Sequence, residues 1–220
     1  MIVWTISETC LGAGTGPSDG NVTKVIYSLL LLFSSLQSAQ VICALGPNSP
    51  PYNGYLDQRP SGDAMELAGK VNAALVAMCR PNCPTLALFR NSTVPNAMLI
   101  TASGQTKILY SPEFFTTVYE ASGDGGILAI LAHEVGHVID ATARAPWIKN
   151  DWTPELRADG WAGCAFAKMS LSERTLKAGL TTLSKYPSPA QPNWTMRVPV
   201  LRTGYEQCGG SVSIFTRATL

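Results

Sequence analysis

The chain has 220 residues, of which 46% are hydrophobic and only 14% charged, and its formal net charge is +1. This length suits one domain, or one domain with a leader, and the low charged fraction indicates a rather apolar globule. The Lys and Arg residues are scattered rather than clustered, so the composition gives no support for a nucleic-acid partner or an acidic substrate.

An apolar run at residues 25–33 (VIYSLLLLF) is too short for the ~20 residues of a membrane-spanning helix. Lys24 precedes the run and SSLQSAQ follows it, which predicts a signal peptide cut after Ala39 or Ala44. Because a polar, Gly-rich stretch stands before this leader, we expect translation to start near Val22. The alternative interpretation of the apolar run is a buried core helix. We therefore predict an N-terminal extension and signal peptide at residues 1–44, an irregular lead-in at 45–62 and one folded domain at 63–220. The mature chain is expected to be secreted or periplasmic without a stable membrane span, membrane anchoring being the weaker alternative.

Cysteine usage agrees with export. Of six cysteines, Cys10 and Cys43 lie in the predicted leader region, and the other four allow up to two disulfides in three pairings. Zinc binding by the first pair is less favoured because no second pair has metal-ligand spacing. The favoured pairing is Cys79 with Cys83 and Cys164 with Cys208.

The first half of the domain predicts a helix followed by a small sheet. Asp63 is the expected cap of a helix with one apolar face that ends before Pro81. Three short apolar runs parted by turn residues, at residues 85–89, 97–101 and 107–111, predict three strands.

The second half predicts mainly helices. Asp124 and two glycines introduce a helix (ILAILAHEVGHVIDATAR) that ends before Pro146, and Thr153 with Pro154 opens another. Further helices are expected at residues 172–184 and, as a short segment, at about 197–207. The sequence thus predicts an α+β fold.

Both histidines of the chain lie in one motif, His133-Glu134-Val135-Gly136-His137. On a helix, positions i and i+4 share a face, so the two imidazoles can bind one metal ion while Glu134 reaches a water beside it. The apolar residues before the motif predict a buried helix, in which unpartnered His and Glu would be costly. A metal ion removes that cost.

A catalytic zinc takes three protein ligands and leaves one position open, so a carboxylate must supply the third. Glu155 opens the next helix, and Asp159 follows one turn later on the same face, where it can accept the ring N–H of a ligand histidine, His133 being the expected partner. The plain alternatives are a favourable anion at a helix N-terminus for Glu155 and a solvated ion-pair partner for Asp159. Substitute ligands are Asp140, Asp151 and Glu120.

With these residues the chain resembles a gluzincin, a zinc peptidase with HExxH and a downstream Glu ligand. More narrowly, it resembles the soluble, periplasmic or secreted branch of the CaaX prenyl endopeptidase and HtpX family, over residues 63–208. The similar parts are Pro95-Asn96-Ala97, AHEVGHVID, ELRADGWAG and YPSPAQPNWTMRVPVLRTGY. The resemblance implies a zincin-like fold, with a small mixed sheet, an HExxH active-site helix and a second, Glu-bearing helix.

The same resemblance implies that Asn96 and Ala97 border the cleft and pair with an extended substrate, although Asn96 also suits a plain turn after Pro95. The family tail carries His where this chain has Tyr186, while Arg197 matches. The spanning helices of the membrane members are absent, so prenylated or membrane-embedded substrates are not implied.

These features predict that the domain at residues 63–220 is a metallopeptidase domain. Its expected activity is that of a zinc endopeptidase with one Zn²⁺ and a peptide or protein substrate, in which Glu134 is the general base. The developing oxyanion also needs a stabilising donor, and the chain has no spare histidine. Two rival functions are a non-catalytic zinc-binding protein and an envelope-assembly or interaction protein on a peptidase-like fold. The candidate oxyanion stabilisers are Tyr186, Arg197, Arg202 and Tyr205.

Overall fold

The computed structural model describes residues 40–41, 52–84, 86–102, 105–188 and 190–219. Apart from residues 40–41, the predicted leader with Cys10 and Cys43 lies outside the described residues, so the signal peptide and the domain boundaries stay predictions. In chain order the elements are β1 (Gln40–Val41), α1 (Gly62–Cys79), β2 (Ala87–Arg90), β3 (Ala97–Ala102), β4 (Gln105–Tyr110), α2 (Pro112–Thr142), α3 (Pro154–Lys168), α4 (Glu173–Lys185), α5 (Trp194–Gln207) and α6 (Val212–Thr219). This composition confirms the α+β class.

The sheet is small and mixed, with strand order β1-β3-β4-β2. β3 and β4 form an antiparallel pair that starts with Ala97 opposite Tyr110, and β2 runs parallel to β4. The three predicted strands are therefore present, with their ends shifted by one or two residues. Among the described residues, β1 pairs with β3 at Ile100 and Thr101.

The two faces of the sheet are covered differently. One face, which includes Leu99 and Ile108, belongs to the main core formed with the helices. The opposite face carries a small cluster around Met98 and Leu109, against which Tyr52 of the lead-in packs. The described part of the lead-in thus packs against this face of the sheet through Tyr52, and it contains a 3-10 turn at Gly54–Leu56.

The start of α1 differs from the prediction. Ser61, not Asp63, is the cap, because the Ser61 hydroxyl accepts a hydrogen bond from the Ala64 backbone N–H at 3.3 Å. Asp63 lies in the first turn instead, where a carboxylate is still favourable beside the helix N-terminus.

The predicted start of α2 was wrong: the helix begins at Pro112, with Ser111 as its cap, instead of after the introducing residues 124–126. The turn residues around Asp124 mark a kink inside the helix rather than its beginning. Gly123 adopts φ 58° and ψ −154°, a conformation that a residue with a side chain rarely takes. The kink separates a first segment from the part that carries the HExxH motif.

The later helices follow the predicted order with small changes. Thr153 and Ser172 cap α3 and α4 as expected. α5 begins at Trp194, three residues earlier than predicted, and α6 was not predicted.

Glycines allow the helices around the motif to approach closely. A Cβ on Gly136, between the two motif histidines, would collide with the Ala158 carbonyl oxygen of α3. A Cβ on Gly163 of α3 would likewise collide with the Leu201 carbonyl oxygen of α5. Because these positions lack side chains, α3 lies directly against both α2 and α5.

Two disulfides are present among the described residues, and they match the favoured pairing. Cys79–Cys83 closes the end of α1, with 5.0 Å between Cα atoms, and Cys164–Cys208 ties α3 to the end of α5, with 5.1 Å. Disulfides persist in oxidising compartments, so this pattern fits an extracellular or periplasmic setting. In the described part of the chain, no helix combines the length and the apolar character needed to cross a membrane.

Candidate metal centre

The second segment of α2 is buried all round, because every residue from 125 to 139 is buried. This explains why the segment reads as a continuous apolar run rather than as an amphipathic helix. His133, Glu134 and His137 are buried with it, at 3–4% exposure. Polar side chains at such a depth are expected only where they have partners or hold an ion.

The N-terminus of α3 brings a carboxylate to the two histidines. Glu155 Oε2 lies 3.2 Å from His133 Nε2, and Glu155 Oε1 lies 3.7 Å from His137 Nε2. One ligand atom from each of the three residues lies within 4.8 Å of the other two. This buried group could hold a metal ion.

The separations are within the reach of one bound ion. Bonds of about 2.0–2.1 Å at a tetrahedral centre hold ligand atoms about 3.3 Å apart. Each imidazole has one Glu155 oxygen at a comparable distance, Oε2 at 3.2 Å from His133 Nε2 and Oε1 at 3.7 Å from His137 Nε2. The donor chemistry agrees, since two imidazoles and one carboxylate form a known set for catalytic zinc.

Asp159, one turn after Glu155, holds His133 from the other side of the ring. Its Oδ1 lies 2.9 Å from His133 Nδ1, and Arg197 donates to both of its oxygens, at 2.7 and 2.9 Å. Arg197 also donates to the Leu183 carbonyl oxygen and to Gln191 Oε1. With Nδ1 donating to Asp159, the His133 Nε2 atom is the one directed to Glu155 and to a metal.

Burial alone would raise the pKa of Asp159, but hydrogen bonds from Arg197 and His133 outweigh it and hold the pKa below its usual range. Asp159 is therefore an anion at neutral pH, and the cationic Arg197 balances it. This charge pair is fully enclosed, with exposures of 0% and 1% for the two side chains.

Glu134 differs from the other carboxylates in having an unsatisfied atom. Its Oε2 is buried without a hydrogen-bond partner among the residues that the structure describes. Burial raises its pKa to about 7, with Glu155 adding to the effect, while His133 and the Leu99 backbone N–H oppose it. A carboxyl group with this pKa can take up and release a proton near neutral pH.

His137 shifts in the opposite direction. Burial and the neighbouring His133 lower its pKa to about 4, against the partial opposition of Glu155 and Asp159. Its imidazole is therefore neutral at physiological pH, which is the form that binds metal ions.

A pocket opens beside this group, lined by His133 and Glu134 and, from the edge of the sheet, by Asn96 and Ala97. Asn96 Oδ1 is buried without a partner among the described residues. The apolar wall consists of Phe114, Ile130 and Leu183, and the connection between α4 and α5 supplies Tyr186, Ser188 and Gln191.

The predicted oxyanion stabilisers are placed differently from one another. Tyr186 lines the pocket, with its ring packed edge-on against another aromatic side chain. Arg197 lies behind Asp159. Arg202 is 45% exposed and pairs with Glu206, and Tyr205 packs against Phe215 in the core. Of the four, Tyr186 is the one that the structure brings into the pocket.

The substitute ligands lie elsewhere. Asp140 accepts a hydrogen bond from Arg157 at 2.7 Å, while Glu120 and Asp151 are exposed. Sequence reasoning missed Gln191 and Ser188, which stand in a Pro-rich connection with no local signal of function.

The pKa shifts of Glu134 and His137 predict how the free energy of unfolding depends on pH. A comparison of wild type with Glu134→Gln isolates the part that is due to Glu134. In the metal-free folded chain Glu134 keeps its proton to about pH 7, whereas in the unfolded chain it loses it near 4.5. The folded state binds more protons in this window, so the contribution of Glu134 to the free energy of unfolding falls as pH rises. His137 contributes a rise between about pH 4 and 6.5 in both proteins and cancels in the comparison.

We therefore expect the free energy of unfolding of metal-free Glu134→Gln, relative to that of wild type, to increase by about 3 kcal/mol as pH rises from 4.5 to 7.5. Urea denaturation of both metal-stripped proteins across this range measures the difference. A difference that is constant with pH would contradict the raised pKa.

Comparisons with protein-family models, with curated proteins and with solved structures found no match for this chain. The likeness to the CaaX prenyl endopeptidase and HtpX family therefore stays a resemblance carried by short motifs. What the site can do follows from its own geometry.

Proposed function

We propose that this protein is a zinc-dependent endopeptidase of the gluzincin type with a zincin-like fold. One observation carries the proposal: His133, His137 and Glu155 converge within 4.8 Å beside a pocket into which Glu134 also faces. A metal site, a general base and an opening for a substrate thus occupy one place. Each of these is required for metal-assisted hydrolysis.

The number of ligands favours catalysis over a structural role. Structural zinc sites are closed by four protein ligands, whereas catalytic sites use three and keep one position open. Three ligand residues meet here in the described chain, and the pocket reaches His133. The helices also have metal-independent contacts, since Gly136 packs on α3 and Arg197 joins α5 to Asp159 of α3.

A zinc ion held by these three residues would supply a Lewis acid that makes a water more acidic and a carbonyl more electrophilic. Glu134, whose side chain lines the same pocket, then takes a proton from the attacking water. The water oxygen bonds to the carbonyl carbon, and Glu134 passes the proton to the amide nitrogen. The C–N bond breaks to give a carboxylic acid and an amine, and transfer of the remaining water proton between them leaves a carboxylate and an ammonium group. Asp159 meanwhile keeps His133 in one tautomer.

The substrate is proposed to be an extended peptide that lies along the Ala97 end of β3. Asn96 and Ala97 line the pocket, and the described pairing of β3 with β1 is confined to Ile100 and Thr101. Backbone groups at this edge suit strand addition, in which main-chain hydrogen bonds bind the peptide. The two disulfides support the proposal that the enzyme acts outside the cytoplasm.

A digest of a peptide library tests the proposal. The oxidised chain with one equivalent of zinc is expected to cut peptides internally, to lose that activity with a chelator and to regain it when zinc is restored. Mass spectrometry of the products reports the cleaved bonds. His137→Phe, which lacks one ligand, is expected to bind zinc at least tenfold more weakly and to cut nothing.

The rival functions give different results in the same experiment. A structural zinc protein would unfold when the metal is removed and would never cut, because its metal contributes directly to folding. An assembly factor on a decayed fold would neither cut nor respond to the chelator. We expect the metal-free chain to stay folded by circular dichroism, and an absence of zinc-dependent cleavage would overturn the proposal.

A further inference from the structure

The connection between α4 and α5 places an amide group beside the metal ligands. Gln191 lines the pocket together with His133 and Glu134. Its Nε2 lies 3.1 Å from His133 Nε2, the same nitrogen that is 3.2 Å from Glu155.

The orientation of the Gln191 amide follows from its partners. Its Oε1 accepts hydrogen bonds from Arg197 Nη1 at 2.8 Å and from the Ser188 backbone N–H at 3.1 Å. Both partners are donors only, so the oxygen must face them and the NH₂ group must face the ligands. Arg197 is itself anchored by two bonds to the buried Asp159, which makes the support of this amide rigid.

Metal binding changes what this NH₂ group can do. A histidine nitrogen that binds a metal has used its lone pair and accepts no hydrogen bond. The Gln191 N–H groups must then find another acceptor on the same side of the pocket. A substrate carbonyl placed for attack by the water that Glu134 deprotonates offers one.

We propose that Gln191 donates a hydrogen bond to the scissile carbonyl oxygen as that oxygen becomes negatively charged, and so stabilises the oxyanion. This inference rests on the proposed peptidase function. A neutral amide suits the role, because preorganised uncharged donors stabilise developing charge without reorganising in the transition state. Of the other candidate donors, Arg197 is engaged behind Asp159, and Arg202 and Tyr205 lie outside the pocket lining. Tyr186 lines the pocket and is the competing candidate.

The test compares Gln191→Met with Tyr186→Phe in the zinc-loaded enzyme, using a peptide that wild type cuts. Methionine has a similar length but no donor, and Tyr186→Phe removes the hydroxyl of the competing pocket residue. We expect Gln191→Met to lower kcat by about 10²–10³-fold, as loss of one oxyanion donor does, with KM within threefold. The neutral control is Gln207→Met, the same substitution at an exposed glutamine of α5, which is expected to change kcat by less than threefold.

A second measurement does not depend on turnover. Binding of a phosphinic peptide, which imitates the tetrahedral species, is expected to weaken in Gln191→Met by a similar factor of about 10²–10³. Zinc affinity, measured by competition with a chromophoric chelator, is expected to stay within threefold of wild type. A purely structural role would weaken zinc and substrate binding together, and that pattern would overturn the inference.

If Gln191→Met fails to fold, Gln191→Glu keeps an acceptor for Arg197 and for the Ser188 N–H but offers no donor, and the same losses are expected. If the folded variant keeps the kcat and the phosphinic-peptide affinity of wild type, the proposed role of Gln191 is overturned while the peptidase proposal stands. A loss in Tyr186→Phe with none in Gln191→Met would assign the role to Tyr186. Absence of zinc-dependent cleavage by wild type would overturn the peptidase proposal as well, so the two failures are distinguishable.

Discussion

Replacing Glu134 by Gln is expected to lower kcat for peptide hydrolysis by about 10²–10⁴-fold while one equivalent of zinc remains bound. Gln has the same shape but cannot accept a proton from the attacking water or return it to the amide nitrogen. Since Glu134 is not one of the three converging ligands, its removal leaves the metal site intact. Steady-state kinetics and metal analysis of the same sample measure both parts.

Glu120→Gln is the matched control, because Glu120 lies on the same helix but is exposed. Its kcat and zinc content are expected to equal those of wild type. Undiminished cleavage by Glu134→Gln would remove Glu134 from the mechanism. Loss of zinc with loss of activity would instead make it a metal ligand or a structural support.

The second large effect concerns stability. Replacing Arg197 by Met is expected to lower the free energy of unfolding by about 3–5 kcal/mol, because it leaves Asp159 buried beside His133 without its cation. Arg197 also supports the Leu183 carbonyl and the Gln191 amide. Urea denaturation of the metal-free protein at pH 7 measures the loss.

Arg202→Met is the control on the same helix. Arg202 is largely exposed and pairs with Glu206 one turn away, so its loss is expected to cost less than about 1 kcal/mol. The double variant Asp159→Asn/Arg197→Met removes both charges and is expected to recover part of the stability. A cost for Arg197→Met no greater than that for Arg202→Met would show that the buried pair does not support the fold.

Helix ends were predictable where a side chain caps the local backbone. Thr153 and Ser172 each accept a hydrogen bond from an N–H three residues later, which is a local interaction that the sequence displays directly. The start of α2 carries the same kind of cap, since Ser111 accepts a hydrogen bond from the Phe114 N–H, but Ser111 was assigned to the preceding strand. Glycines and Asp124 are typical of a boundary, yet packing of both segments into the core continues the helix through the Gly123 kink.

The candidate site also combines residues that local sequence patterns predict with one that they do not. The i, i+4 spacing of His133 and His137 is a property of any helix, and the need for a carboxylate follows from the shortage of histidines. Gln191 escaped notice because its relevance depends on Arg197 and Ser188, which orient its amide from two directions. Nothing in a Pro-rich connection indicates such an arrangement.

The sequence by itself determined the HExxH helix and the capped α3 with Glu155 and Asp159 on one face. These depend on helical periodicity, on capping and on residue chemistry, which act over a few residues. Only the tertiary structure decided that α3 lies close enough to α2 for Glu155 to reach both histidines. That distance depends on the missing side chain of Gly136 against the Ala158 carbonyl, a contact between helices that spacing along the chain cannot express.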